Sequence, residues 1–270
     1  MKTFLAVTVA ALALAAPALA AYPGTYGMQN AQGVAAPDGK LTFRAAKSAE
    51  GTRLVAVRPG TGTVVRGATI PGQFGIPTMI TTHGKTLGMF RDGHAFVLQS
   101  VGIEPTSSFR IVSTRTLAVL DRIALKGSWE FDALSPDGST LYLIQHATLD
   151  DFQHYVVRAF DLRTHTLLPG RIADKTQKSW TMEGYPDTRV VTASGRWVYT
   201  LYTNPGGFPF VHALDTVAGV AHCVGFAWTG DQGPLSRFSL RLAGDRLLLL
   251  RPGGKVYRAI DRTTWAVSLR

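Results

Sequence analysis

A two-part pattern recurs five times along this chain, in phase, and it limits the fold more than any other feature. The first part is a tight turn ending in glycine, followed by an apolar run. Its best copy is Ala133-Leu134-Ser135-Pro136-Asp137-Gly138-Ser139-Thr140-Leu141-Tyr142-Leu143-Ile144. Residues 190–201 and 239–250 align on it without a gap, through Gly195 and Gly244. Residues 79–90, through Gly84, make a fourth copy, and Ala36-Pro37-Asp38-Gly39-Lys40-Leu41 is a shorter fifth. The anchor glycines are spaced 45, 54, 57 and 49 residues apart. The second part is Arg158-Ala159-Phe160-Asp161, matched by His212-Ala213-Leu214-Asp215 and Arg258-Ala259-Ile260-Asp261. Arg110-Ile111-Val112-Ser113 and Val55-Ala56-Val57-Arg58 fill the same slot in the earlier copies.

The chemistry of these runs points to strands. Asp-Gly and Ser-Gly supply the positive φ of a tight hairpin turn. The flanking runs are rich in Val, Leu, Tyr and Thr, and several are apolar on both faces, as in sheets stacked face to face. No segment after residue 20 holds a helical period with caps. Each unit carries about four strands and cannot bury both of its faces alone. Radial stacking solves this and removes long exposed edges. The expectation is therefore an all-β chain: a β-propeller of five four-stranded blades, roughly 21–70, 71–126, 127–173, 180–227 and 231–270. A pair of β-sandwiches is the alternative, but a sandwich does not require an in-phase repeat. Residues 22–34 supply the first inner strand or close the ring against the last blade.

Ser135-Pro136-Asp137-Gly138, followed by an apolar strand, resembles the turn of TolB-like and YVTN (YncE-like) propeller repeats. Leu201-Tyr202-Thr203-Asn204 resembles a variant of the YVTN strand, and Asp161 with Thr164 resembles the x-D-x-x-T slot that follows it. Asp215 meets that slot more loosely. The resemblance spans most of the chain and implies an exported bacterial binding or scaffold protein, with no catalytic residue carried over. The count departs from it: YVTN propellers have about seven shorter blades, against five longer ones here.

Residues 1–20 read as a secretory signal peptide. Lys2 is the basic start, residues 4–15 form an apolar core too short to span a bilayer with flanks, and Ala18-Leu19-Ala20 is a small-x-small cleavage site. The mature chain, 21–270, is expected as a single propeller domain, secreted, periplasmic or at the cell surface. It has no later stretch of transmembrane length, and a monomer is expected. The single cysteine, Cys223, excludes an internal disulfide and sits in an apolar run that suits a buried, inert thiol. Net charge is +10, spread without a Lys/Arg block. That suits a solvated basic surface, or attraction to an anionic cell-envelope polymer. Nucleic acid is disfavoured, because no aromatic-basic stripe is present.

Candidate site residues follow from the alignment. Eight positions before the anchor glycine stand Ile76, Glu130, Asp187 and Ser236. This places Glu130 and Asp187 at one level on adjacent blades. Asp132 lies two residues beyond Glu130, and Asp231 lies in the loop before the last blade. Paired carboxylates at a channel mouth suit glycoside hydrolysis. The plainer role for such acids is to cap strand ends, bind surface arginines such as Arg189 and Arg237, or hold a structural cation, although no ligand-loop motif is present. The Gly/Pro loop Asn204-Pro205-Gly206-Gly207-Phe208-Pro209-Phe210 offers Phe208 and Phe210 to a binding rim. The seven histidines lack metal-ligand spacing, and no serine-hydrolase elbow, dinucleotide motif or P-loop occurs. No metal or cofactor is implied. The first expectation is thus a non-catalytic binding or scaffold module for a protein or envelope polymer. The second is a hydrolase of a glycan or lactone using Glu130 and Asp187, with Asp132, Asp231, Phe208 and Phe210 as binding residues under the first.

Overall fold

The computed structural model describes residues 33–77, 87–102, 104–176 and 182–269. The signal-like segment and the turn proposed at Gly84, with His83, lie outside them. The strands form five antiparallel sheets, each running through the chain in order. The first holds β1 (Val34–Ala35), β2 (Thr42–Ser48), β3 (Gly51–Val57) and β4 (Val64–Ile70). The second holds β5 (Phe74–Gly75), β6 (Ala95–Ser100), β7 (Thr106–Ser113) and β8 (Val119–Lys126). In the third are β9 (Trp129–Leu134), β10 (Thr140–His146), β11 (His154–Asp161) and β12 (Thr166–Leu167), with β13 (Met182–Glu183) also pairing β11. The fourth is β14 (Tyr185–Val191), β15 (Trp197–Thr203), β16 (Phe210–Asp215) and β17 (Val220–Gly225). The fifth is β18 (Ser239–Ala243), β19 (Arg246–Leu250), β20 (Val256–Asp261) and β21 (Val267–Leu269). This is a propeller of five blades, and Val34–Ala35 is the inner strand of the first.

Apolar clusters fill each space between consecutive blades. Phe43 of blade 1 stacks on Phe96 of blade 2 with ring centroids 5.1 Å apart, and both are fully buried. Phe109 and Ile123 of blade 2 pack with Leu141 and Leu143 of blade 3. Tyr155 and Val157 of blade 3 meet Tyr202 and Leu214 of blade 4, and Leu201 and Val211 of blade 4 share a cluster with Leu247 and Leu249 of blade 5. Each such side chain, fully buried, contributes about 1.5–3 kcal/mol, so blade stacking, not the single sheet, holds the fold.

The two repeat markers become two kinds of turn. At the first, Gly39, Gly138 and Gly195 have φ of +69°, +69° and +78°, and each N–H bonds the carbonyl three residues back. In blade 2 the turn is Phe90-Arg91-Asp92-Gly93, where Gly93 has φ +75° and its N–H bonds Phe90 O at 2.9 Å. The anchor of this blade is therefore Gly93. Leu87 N bonds Pro77 O at 2.7 Å, and the nine residues between them lie outside the described residues. Gly84, on which the alignment anchored this copy, is one of them. A side chain at Gly138 would also begin 2.8 Å from the Phe90 ring, so the turn needs glycine for space as well as for φ.

The second marker ends the third strand. Oδ1 of Asp161, Asp215 and Asp261 each accepts two backbone N–H bonds from residues two and three further on. These side-chain turns bring the following position into the left-handed region, at His165, Gly219 and Trp265. Ser113 does the same through Oγ, ahead of Leu117.

Candidate functional site

The inner strands of blades 2 to 4 surround a pocket of about 310 Å³ on the side of the glycine turns. Its wall is mostly apolar, with Met89, Phe131, Leu134, Val191 and Val198, and Arg91 stands at the rim. Asp132 and Arg189 form its polar floor. Arg189 Nη2 donates to Asp132 Oδ1, Nη1 donates to Asp132 O, and Nε donates to Thr200 Oγ1 at 2.8 Å. Asp132 is 1% exposed and Arg189 7%. Arg189, expected at the surface, is a buried partner. The carboxylate is neutralised inside the hub and its Oδ2 has no hydrogen bond.

Glu130 lies on the opposite side of the propeller. It lines a cavity of about 10 Å³ with His146, Tyr155, Tyr185 and Tyr202, room for about one water. Its Oε2 is 3.6 Å from His146 Nε2. Asp187 lines a different space, so the fold does not bring the two acids together as the alignment expected. The reason is a pair of β-bulges, one residue each, at different places. In β9 the register slips between Phe131 and Ala133, leaving Asp132 as the extra residue. In β14 it slips between Pro186 and Thr188, leaving Asp187 as the extra residue. Counting from the turn still gives eight for both Glu130 and Asp187. By pairing, however, Glu130 stands opposite Ile144, and the residue opposite the corresponding Leu201 is Thr188. A bulge re-aims its own residue and changes the face of those beside it.

Asp187 opens instead onto a groove of about 540 Å³ at the junction of blades 4 and 5, on the side away from the glycine turns. Thr203, Pro205, Gly230, Asp231, Gln232, Gly233 and Ser236 complete the lining. Burial pushes the Asp187 carboxyl up to about 7, against the opposing effect of the Thr203 N–H that bonds it. Its Oδ2 is buried without a hydrogen bond. Asp231 Oδ1 accepts from Gly233 N at 3.0 Å, and Trp228 Nε1 holds the Asp231 carbonyl at 3.0 Å. Gln232 clamps the groove to the Gly/Pro loop. It accepts from Asn204 N at 2.7 Å and donates to the carbonyls of Asn204 and Gly207, each at 2.8 Å. The next residue, Phe208, is 63% exposed. Phe210 belongs to the core: it is buried and stacked on Tyr202 at 5.1 Å. Asp187 and Asp231 thus line one groove and Phe208 is exposed on the loop that Gln232 holds, whereas Glu130, Asp132 and Phe210 are interior.

Between blades 3 and 4 stand a buried His212 and a partly buried Cys223. Burial lowers the His212 imidazole to about 4 and raises the Cys223 thiol to about 12, so the thiol is protonated and unreactive near neutrality. Gln232 and His146 were not visible as partners in the sequence. A polar residue inside a run of Gly and Asp, and a His ending an apolar strand, give only a weak signal. Among the described residues no group of three or more His, Cys, Asp or Glu is placed to hold a metal ion. No helix of the described residues is long and apolar enough to cross a membrane.

The architecture is that of the β-propeller proteins. Among solved structures, hydrazine synthase of Kuenenia stuttgartiensis matches at 14% identity and a TM-score of 0.51, over 84% of this chain and 62% of that one. TolB from Acinetobacter baumannii matches at 14% identity and a TM-score of 0.47, over 87% of this chain and 52% of the other. A putative 6-phosphogluconolactonase from Bacteroides uniformis matches at 12% identity and a TM-score of 0.44, over 91% and 83%. The chain thus spans about half to two thirds of the length of the first two. No protein-family model and no curated protein sequence matches it. The resemblance is one of fold.

Proposed function

We propose that this chain is a non-catalytic binding module, exported by its N-terminal signal, that engages a protein or an anionic polymer of the cell envelope. The observation that carries this reading is the state of the hub. A pocket of about 310 Å³ is of ligand size, and its one carboxylate is already held by Arg189. Such a floor orients a ligand and offers no free acid and base. The net charge of +10 supports attraction to anionic polymers. The hydrolase alternative needs Glu130 and Asp187 in one open pocket, and they line separate spaces. The test is capture from an envelope fraction by the immobilised full chain. The expected result is a specific partner released by moderate salt. Turnover of a glycan or lactone panel that is lost in Glu130→Gln or Asp187→Asn overturns the reading.

A further inference from the structure

Apolar clusters close the four spaces between blades that follow one another in the chain. The return from blade 5 to blade 1 differs. Among the described residues no apolar cluster and no backbone hydrogen bond joins these two blades. Strand alternation gives the reason. In blade 1, Phe43, Ala45, Leu54 and Ala56 face blade 2. The other face carries Arg44, Ala46, Arg53, Gly67 and Thr69, all exposed, around a half-buried Val55. In blade 5, Leu240, Leu247, Leu249 and Ile260 face blade 4. Its other face runs across the strands from Arg241 through Leu248 and Ala259 to Ser268, and Arg241 and Ser268 are exposed. A guanidinium is buried only with a counter-charge, and these faces supply none. The acid at the end of blade 5's face, Asp261, is engaged by the N–H groups of its own turn.

We propose that the open junction between blades 5 and 1 is the docking surface for a phosphodiester polymer of the cell envelope, held through Arg44, Arg53 and Arg241. The proposal rests on the binding-module reading and gives it a place and a chemistry. Charge is the first argument. Residues 33–72 carry six Lys and Arg against two Asp and Glu, and residues 231–269 carry seven against three, whereas residues 128–176 carry four against seven. The excess of positive charge thus gathers on the two blades that flank the junction. The three side chains are arginines, whose planar fork suits the paired oxygens of a phosphate. Spacing is the second argument. Ala46 stands opposite Arg53, and Arg44 lies two residues along the same strand, so the two arginines are diagonal neighbours about 7–8 Å apart. Such a pair needs closely repeated charges, and a phosphodiester chain carries one at every link. Neither face holds an aromatic residue, so there is no platform on which a base or sugar ring could stack. A second copy offering the same surface would bring like charge to like.

The test is a calorimetric titration of the full chain with poly(glycerol phosphate) and, separately, with polygalacturonate. The first is expected to bind saturably and the second more weakly. The triple variant Arg44→Gln, Arg53→Gln, Arg241→Gln is expected to flatten the slope of log affinity against log salt by about 2, the loss of three contacts to a single-stranded polyanion. The control Arg115→Gln, Arg163→Gln, Arg171→Gln removes the same charge from blades 2 and 3 and is expected to leave the slope unchanged. All six side chains are exposed, so both variants should keep the urea midpoint of the parent chain. Absence of binding, an equal change in both variants, or tighter binding of polygalacturonate overturns the proposal. So does a dimer in sedimentation that the first variant dissolves, which assigns the face to a second copy. Salt-sensitive capture of an envelope partner that persists undiminished in the first variant sinks the junction as the surface and leaves the binding-module reading standing. Absence of capture by the parent chain sinks both.

Discussion

Two aspartates reach the interior of this propeller by the same device and meet opposite conditions. Asp132 and Asp187 are each the extra residue of a β-bulge in an inner strand, on blades 3 and 4. Asp132 is turned into the hub, where Arg189 meets it with two hydrogen bonds. Asp187 is turned to the opposite rim, where only a backbone N–H helps it and burial holds its carboxyl up to about 7. The lesson is that a buried acid is structural or available according to whether its own chain provides the counter-charge. A buried pair is destabilised chiefly by losing one member, whereas an unpaired acid is relieved by protonation or by a ligand.

The comparison can be broken at several points. Removing the counter-charge should have the largest effect. Arg189→Met leaves Asp132 buried and unpaired and should cost roughly 3–5 kcal/mol in urea unfolding, most of it recovered in the double variant with Asp132→Leu. The two loop aromatics should separate in the same assay. Phe210→Ala, in the core, should cost roughly 3–5 kcal/mol, whereas Phe208→Ala should stay within about 0.5 kcal/mol. Next in size is the pH dependence of Asp187. Its folded pKa lies above its unfolded value, so the proton is bound more tightly in the folded state. Its contribution is present in acid and lost as pH rises from about 4 to about 7. Asp187→Asn should abolish that slope and raise stability at pH 8 by up to about 4 kcal/mol. His212 works in the other direction. Its folded pKa is depressed to about 4, so stability present above about 6.5 is lost as pH falls towards 4. The smallest effect compares turns. Gly138→Ala should cost about 1–2 kcal/mol from φ +69° plus the clash with Phe90. Gly244→Ala, with nothing within 4 Å of the added atom, should cost only the φ component.

Much of the fold was legible because its signals are local. A turn glycine with positive φ, an Asp that bonds the N–H groups two and three residues on, and an apolar run all act within a few residues. Five copies of such units therefore announce five sheets. Legibility failed where the chain count was altered without a compositional mark. In blade 2 the alignment anchored on Gly84, nine residues ahead of the glycine turn at Gly93. In blades 3 and 4 the bulges at Asp132 and Asp187 preserved the count while shifting the faces, so a gap-free alignment paired Glu130 with the wrong neighbour. Phe208 and Phe210 look alike in sequence, and only burial against Tyr202 separates them.

The sequence alone determined that this chain is an all-β repeat of five hairpin-built blades, because turn chemistry and strand composition are short-range properties. Tertiary structure alone decided that Arg189 closes the hub on Asp132, that Glu130 is sealed beside His146, and that Asp187 shares a groove with Asp231. The physical reason is that a one-residue bulge reverses the face a side chain presents, and its position is set by how neighbouring strands pair rather than by the residues that carry it.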